Sequence, residues 1–171
     1  MTTGAELIAD AFGRVREIVH DVADGLSPEQ LAERLEPGAN SIAWLVWHLT
    51  RVQDSLAETF GAEQVWTAEG WDKRFDLPFS SDATGYGQGA EQVGAVRVQS
   101  AELLTGYHDA VHRRMIEYIQ GLGEADFERV VDTNWDPPVT LGVRLVSVVS
   151  DALQHAGQTA FVRGVLERRG K

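Results

Sequence analysis

Apolar residues recur at helical spacing along four long stretches of the chain. In the first, about Thr3 to Ala23, Leu7, Ala11, Val15, Ile18, Val19 and Val22 fall on one face, and Gly25 stops it. Ser27-Pro28-Glu29-Gln30 then carries a helix start: serine as cap, proline at the first position, glutamine closing a capping box. This predicts a short helix that ends before Pro37-Gly38. Asn40 or Ser41 caps a second long helix, Ile42 to about Phe60, with Gly61 as its stop. Its apolar face is Leu45, Leu49, Val52 and Leu56, widened by Trp44. The third runs from about Glu91 to Gln120 on a stripe that includes Val93, Val96, Leu103, Leu104, Tyr107, Val111 and Met115. Thr140 caps the last, whose stripe is Leu141, Leu145, Val148, Ala152, Thr159, Val162 and Leu166.

The connectors differ in character. Glu63 to Gly89 has little periodicity and is rich in glycine, yet it holds Trp66, Trp71, Phe75, Phe79 and Tyr86. A polar linker would not carry five aromatics, so this loop is expected to pack over something, either an ordinary helix face or a site. Asp132 to Val139 is a second connector, marked by Trp135 and Pro137-Pro138, and the charged tail Glu167 to Lys171 is expected to fray. Four amphipathic helices, no convincing strand and no internal repeat predict an all-α four-helix bundle. It would form one domain over residues 1–171, with the loop between its second and third long helices as a crossover. On the last helix Gly157, Ala160 and Gly164 lie away from the stripe and permit close helix approach, inside the bundle or across a homodimer.

The last stripe also carries chemistry. His155 lies near its centre and Asp151 one turn earlier at its edge, so both side chains leave the same face. A carboxylate and an imidazole facing a core must be satisfied by each other, by buried water or by a metal, and the residues alone leave all three open. His48 lies within or beside the buried arc of the second long helix, where a core histidine bonded to a backbone carbonyl is the plain alternative to a ligand. His108 and His112 are four apart, but His108 sits at the border of its stripe and His112 outside it, so His112 is read as solvated and neither as a ligand. His20, among charged neighbours, is read as solvent-facing.

Composition narrows the classes. A formal net charge of -11 argues against nucleic-acid and anionic-membrane surfaces. Cysteine is absent, which removes disulfides, thiolate metal sites and a cysteine nucleophile. The first residues form no signal peptide and no apolar run approaches the roughly 20 residues of a membrane span, so a cytoplasmic protein is expected.

Two segments carry a family resemblance, Trp44-Leu45-Val46-Trp47-His48-Leu49 and Asp151-x-x-x-His155-Ala-Gly-Gln158. Over essentially its whole length the chain resembles the DinB-like superfamily of metal-binding four-helix bundles, which includes mycothiol-dependent S-transferases and maleylpyruvate isomerases. The resemblance implies that His48, Asp151 and His155 bind a divalent ion (Zn, Ni, Fe or Mn), with Asp151 standing where the family commonly has histidine. Two histidines and one carboxylate are a recognised open site. The resemblance further implies a small-molecule thiol such as mycothiol acting on an electrophilic substrate. Trp44, Arg51, Trp66 and Trp71 are candidate pocket residues, Arg51 as a partner for a carboxylate or else in a surface salt bridge. A metal-dependent hydrolase using water on the same triad, and a non-catalytic dimeric binding or stress-response protein, are the alternatives.

Overall fold

The computed structural model describes residues 1–170. Four long helices form the frame: α1 (Gly4–Ala23), α3 (Ile42–Thr59), α7 (Ala101–Gln120) and α8 (Leu141–Arg168). Shorter helices lie between them: α2 (Pro28–Leu31), α4 (Val65–Ala68), α5 (Trp71–Phe75) and α6 (Ala90–Ala95). The expected starts are built as local chemistry requires. Thr3, Ser27, Ser41 and Thr140 each accept a backbone N–H of the first turn, and Gln30 closes its box with Ser27. Both α1 and α3 pack mainly on α7 and α8, which places α1 opposite α3 in an all-α four-helix bundle.

Several local expectations are corrected. The third long helix is broken: α6 ends at Ala95 and α7 begins at Ala101. Val96 and Val98, both buried, sit two residues apart in the break. That spacing suits extended backbone, whereas a helix would turn them to different sides. A short antiparallel ribbon, β1 (Val130–Asp132) with β2 (Val139–Thr140), leads into α8, although no strand is evident from the sequence pattern. The tail stays helical to Arg168, and Lys171 lies outside the described residues.

The aromatic loop folds back as cover. Trp66, Trp71 and Phe75 are buried around Tyr107 of α7, with ring centroids 5.1 to 5.7 Å away. Residues Ile42 to Arg51 of α3 are consequently buried on every side, and the single stripe read from the sequence becomes a helix enclosed all round. No helix among the described residues is long and apolar enough to cross a membrane.

His108, read as a border position, is fully buried between α7 and α3. The Thr50 hydroxyl gives its proton to the Val46 carbonyl at 2.7 Å, so at 3.0 Å it accepts from His108 Nδ1. That leaves His108 Nε2 as a bare, buried acceptor without a partner. His112 is half-buried rather than solvated, and His20 meets Asp109 at 2.8 Å. Burial holds His108 down at about 3, so it is neutral in the folded protein. Below its ordinary value of 6.5 the unfolded chain takes up a proton that the native state refuses. Stability therefore falls as pH drops from 6.5 towards 3, by up to about 1.4 kcal/mol per pH unit. Denaturant titrations at pH 6.5 and about pH 4.5 should show the wild type losing roughly 2 kcal/mol more than His108→Leu. Parallel losses in the two proteins would contradict a neutral buried His108.

Candidate metal centre

Two helices supply the site. His48 projects from α3, while Asp151 and His155 project one turn apart from α8, the helix packed beside it. One ligand-capable atom from each of His48, Asp151 and His155 lies within 4.8 Å of the others. The two imidazoles meet edge to face with centroids 4.8 Å apart. Trp44, one turn before His48, stacks on it at 4.6 Å and meets His155 edge-on at 6.2 Å. His48 is buried, while Asp151 and His155 are half-buried, so the cluster is reachable from one side.

Hydrogen bonds fix the free nitrogen of the neutral His48 ring and orient the ring of His155. His48 Nδ1 lies 2.5 Å from the Thr84 carbonyl, which can only accept, so Nδ1 carries the proton and Nε2 keeps its lone pair. His155 Nδ1 donates in the same way to Gln158 Oε1 at 3.0 Å. His155 Nε2 faces Asp151 Oδ1, 3.6 Å away, presenting a lone pair there when the ring is neutral and donating when it is protonated. Two acceptors facing each other repel unless a proton or a cation lies between them. Asp151 Oδ2 is buried and has no hydrogen-bond partner. The donor set fits a divalent ion: two neutral imidazole nitrogens, one carboxylate, and a second carboxylate oxygen left over.

Charges in the site respond accordingly. The Asp151 carboxylate raises His155 above the ordinary imidazole value against the opposing effect of burial. His155 in turn holds Asp151 below the usual carboxylate range. Burial lowers His48, which favours the neutral ring a ligand requires.

The other expected pocket residues separate. Trp44 lies against the two histidines. Trp66 and Trp71 pack around Tyr107 instead and carry the loop. Arg51 is neither in an open pocket nor in a surface salt bridge: it is fully buried. Its Nε donates to the Ala83 carbonyl at 3.1 Å and its Nη2 to the Ser81 carbonyl at 3.2 Å. Its Nη1 faces Gln64 Oε1 at 2.7 Å, the Tyr107 hydroxyl at 3.3 Å and Asp54 at 3.5 Å.

Residues missed from the sequence are Thr84, Gly85, Gln88 and Gln158. Gln158 lies in a quoted motif and three residues from His155, so helical spacing alone could have flagged it. Gln158 and Leu45 also line a groove of about 580 Å3 with Leu35, Asn40, Phe161 and Arg169, which none of the three cluster residues lines. Thr84 acts through a backbone carbonyl, which leaves no trace in residue identity.

Comparison with known proteins follows the same lines. A family model described as the DinB superfamily matches residues 11–159. The crystal structure of a conserved protein from Enterococcus faecalis superposes with a TM-score of 0.88 at 26% identity, covering 95% of this chain and 96% of that one. No curated protein sequence matches.

Proposed function

The chain belongs to the DinB superfamily, and from that membership and the site geometry we propose a metal-dependent enzyme that uses a low-molecular-weight thiol as its nucleophile. The reaction class is S-transfer to, or thiol-assisted isomerisation of, an electrophilic small molecule. The observation that carries the reading is the convergence of His48, Asp151 and His155 within 4.8 Å, which brings two imidazoles and a carboxylate together.

His48 and His155 would hold the ion through Nε2, and Asp151 would offset part of its charge. A divalent ion held by three protein groups keeps open positions and supplies a bound thiol in its deprotonated form at neutral pH. The sulfur must come from outside, because the chain has no cysteine. Trp44 shields one side of His48 from water, and the groove beside Gln158 offers room for a small molecule. A mycothiol-like cofactor and a reducing, cytoplasmic setting go with this reading.

Metal-replete protein purified without a histidine tag should carry about one divalent ion per chain. At a thiol concentration near 100 times its dissociation constant, mycothiol should raise the melting temperature by roughly 5–10 °C, as a ligand of the native state alone does. Glutathione should not. Metal-loaded protein that responds to no thiol would favour water as the nucleophile, hence a hydrolase. Protein that takes up no metal would leave the non-catalytic binding reading.

A homodimer completes the proposal. Val143, Val146, Leu153 and Phe161 are exposed on the outer face of α8, with 55, 59, 40 and 64% accessibility. By helical geometry Ser147, Ser150, Gln154, Gly157 and Ala160 share that face, and none of these residues is charged. Two chains of net charge -11 repel least where they meet through such a neutral strip. Light scattering should give a dimer that Phe161→Glu converts to monomer; a monomeric wild type would remove this element.

A further inference from the structure

The loop that returns from α5 lies antiparallel along α3, and three α3 side chains at successive turns grip it. Arg51 takes the Ser81 and Ala83 carbonyls, His48 takes the Thr84 carbonyl, and Trp44 Nε1 donates to Gln88 Oε1 at 2.8 Å. The middle contact is the one that orients a metal ligand. Thr84 is joined directly to Ala83, so the Thr84 carbonyl cannot keep its direction if the Ala83 carbonyl is released. The segment Ser80 to Gln88 has no helix or strand of its own to hold it.

We infer that Arg51 is a positioning residue for the metal centre: its grip on Ser81 and Ala83 aims the Thr84 carbonyl, which keeps the proton of His48 on Nδ1 and Nε2 free as the ligand atom. The inference rests on the metal reading above for its purpose, but not for its test. Its physical basis is the planar guanidinium fork, which meets two carbonyls through separate nitrogens while the remaining one faces Gln64, Tyr107 and Asp54. A lysine ammonium is a single point and cannot span the two carbonyls and the Asp54 side together. Outer partners of metal-bound histidines act this way generally, by fixing tautomer and ring direction.

The buried network offers its own control. Asp54 accepts from the Val65 and Trp66 N–H groups, both at 2.8 Å, and from the Tyr107 hydroxyl, and it faces only Nη1 of Arg51, at 3.5 Å, so Asp54→Asn loosens α4 and removes that charge pair while leaving the Nε and Nη2 contacts to the Ala83 and Ser81 carbonyls in place. The experiment is nitrogen-15 NMR of the His48 ring in metal-free protein, assigned with His48→Gln. Wild type should show one tautomer, protonated at Nδ1. Arg51→Lys and Arg51→Met, whichever keep wild-type helix content, should show the two ring nitrogens averaging, whereas Asp54→Asn should not. Cobalt(II) titration should then show about 10- to 100-fold weaker binding in the Arg51 variants with an altered visible spectrum, and less than about threefold in Asp54→Asn. Unchanged His48 nitrogens in the Arg51 variants, or equal changes in Asp54→Asn, overturn the inference. A wild type that ignores cobalt overturns the metal reading instead, and the ring nitrogens still decide the role of Arg51.

Discussion

His155→Ala is expected to reduce bound divalent metal from about one ion per chain to less than about a tenth, with the helical circular dichroism unchanged. The lost ring supplies one of three ligands, and the two that remain sit on different helices. The fold should survive because the packing of this turn of α8 rests on Ala152, Ala156 and Thr159, all fully buried, while the His155 side chain keeps 18% of its surface exposed. Asp151, whose side chain is 35% exposed, can turn towards water when its partner is gone. Elemental analysis after supplementation and dialysis reads the outcome, and metal content equal to wild type would refute the assignment of His155.

The second large effect is expected at Gly85. Its φ of +96° lies where side chains are rarely tolerated. A Cβ there would stand 2.7 Å from His48 Nδ1, 3.1 Å from the Trp47 ring and 3.2 Å from the Trp44 ring. Trp47 is fully buried and cannot yield, and the His48 nitrogen is engaged with the neighbouring Thr84 carbonyl. Gly85→Ala should cost about 2–4 kcal/mol of stability, from backbone strain plus overpacking, and weaken metal binding at least about tenfold. Gly87→Ala separates the two causes. Gly87 also has positive φ, +73°, but nothing within 4 Å of its added Cβ. It should show the strain alone, near 1 kcal/mol, with wild-type metal affinity. Equal affinity losses at the two glycines would mean that the contact with His48 is not what Gly85 protects.

Both predictions begin at positions of different legibility. His155 is visible in the sequence because helical spacing depends only on neighbours a turn away: Asp151 and His155 share a face wherever the helix packs. The same local rule exposes the four long helical stretches and the caps at Ser27, Ser41 and Thr140. Gly85 is visible only as one glycine among several in an aperiodic loop, since nothing nearby in the chain says that His48 lies against it.

Arg51 and His108 show the same limit from the other side. On the α3 wheel Arg51 is a polar residue next to a ligand position, which suggests a pocket or a surface pair. In the structure it is enclosed because chain 30 to 32 residues later returns over it. His108 looks marginal on its own stripe and is fully buried because Thr50, from another helix, meets it. What the residues determine unaided are the helices, their ends, and which side chains share a face, since these follow from backbone geometry within one or two turns. Which faces are covered, which ring nitrogen is free and whether three polar groups converge were decided by tertiary structure. Burial and hydrogen-bond partnership are set by segments distant in sequence, whose return path no local spacing encodes.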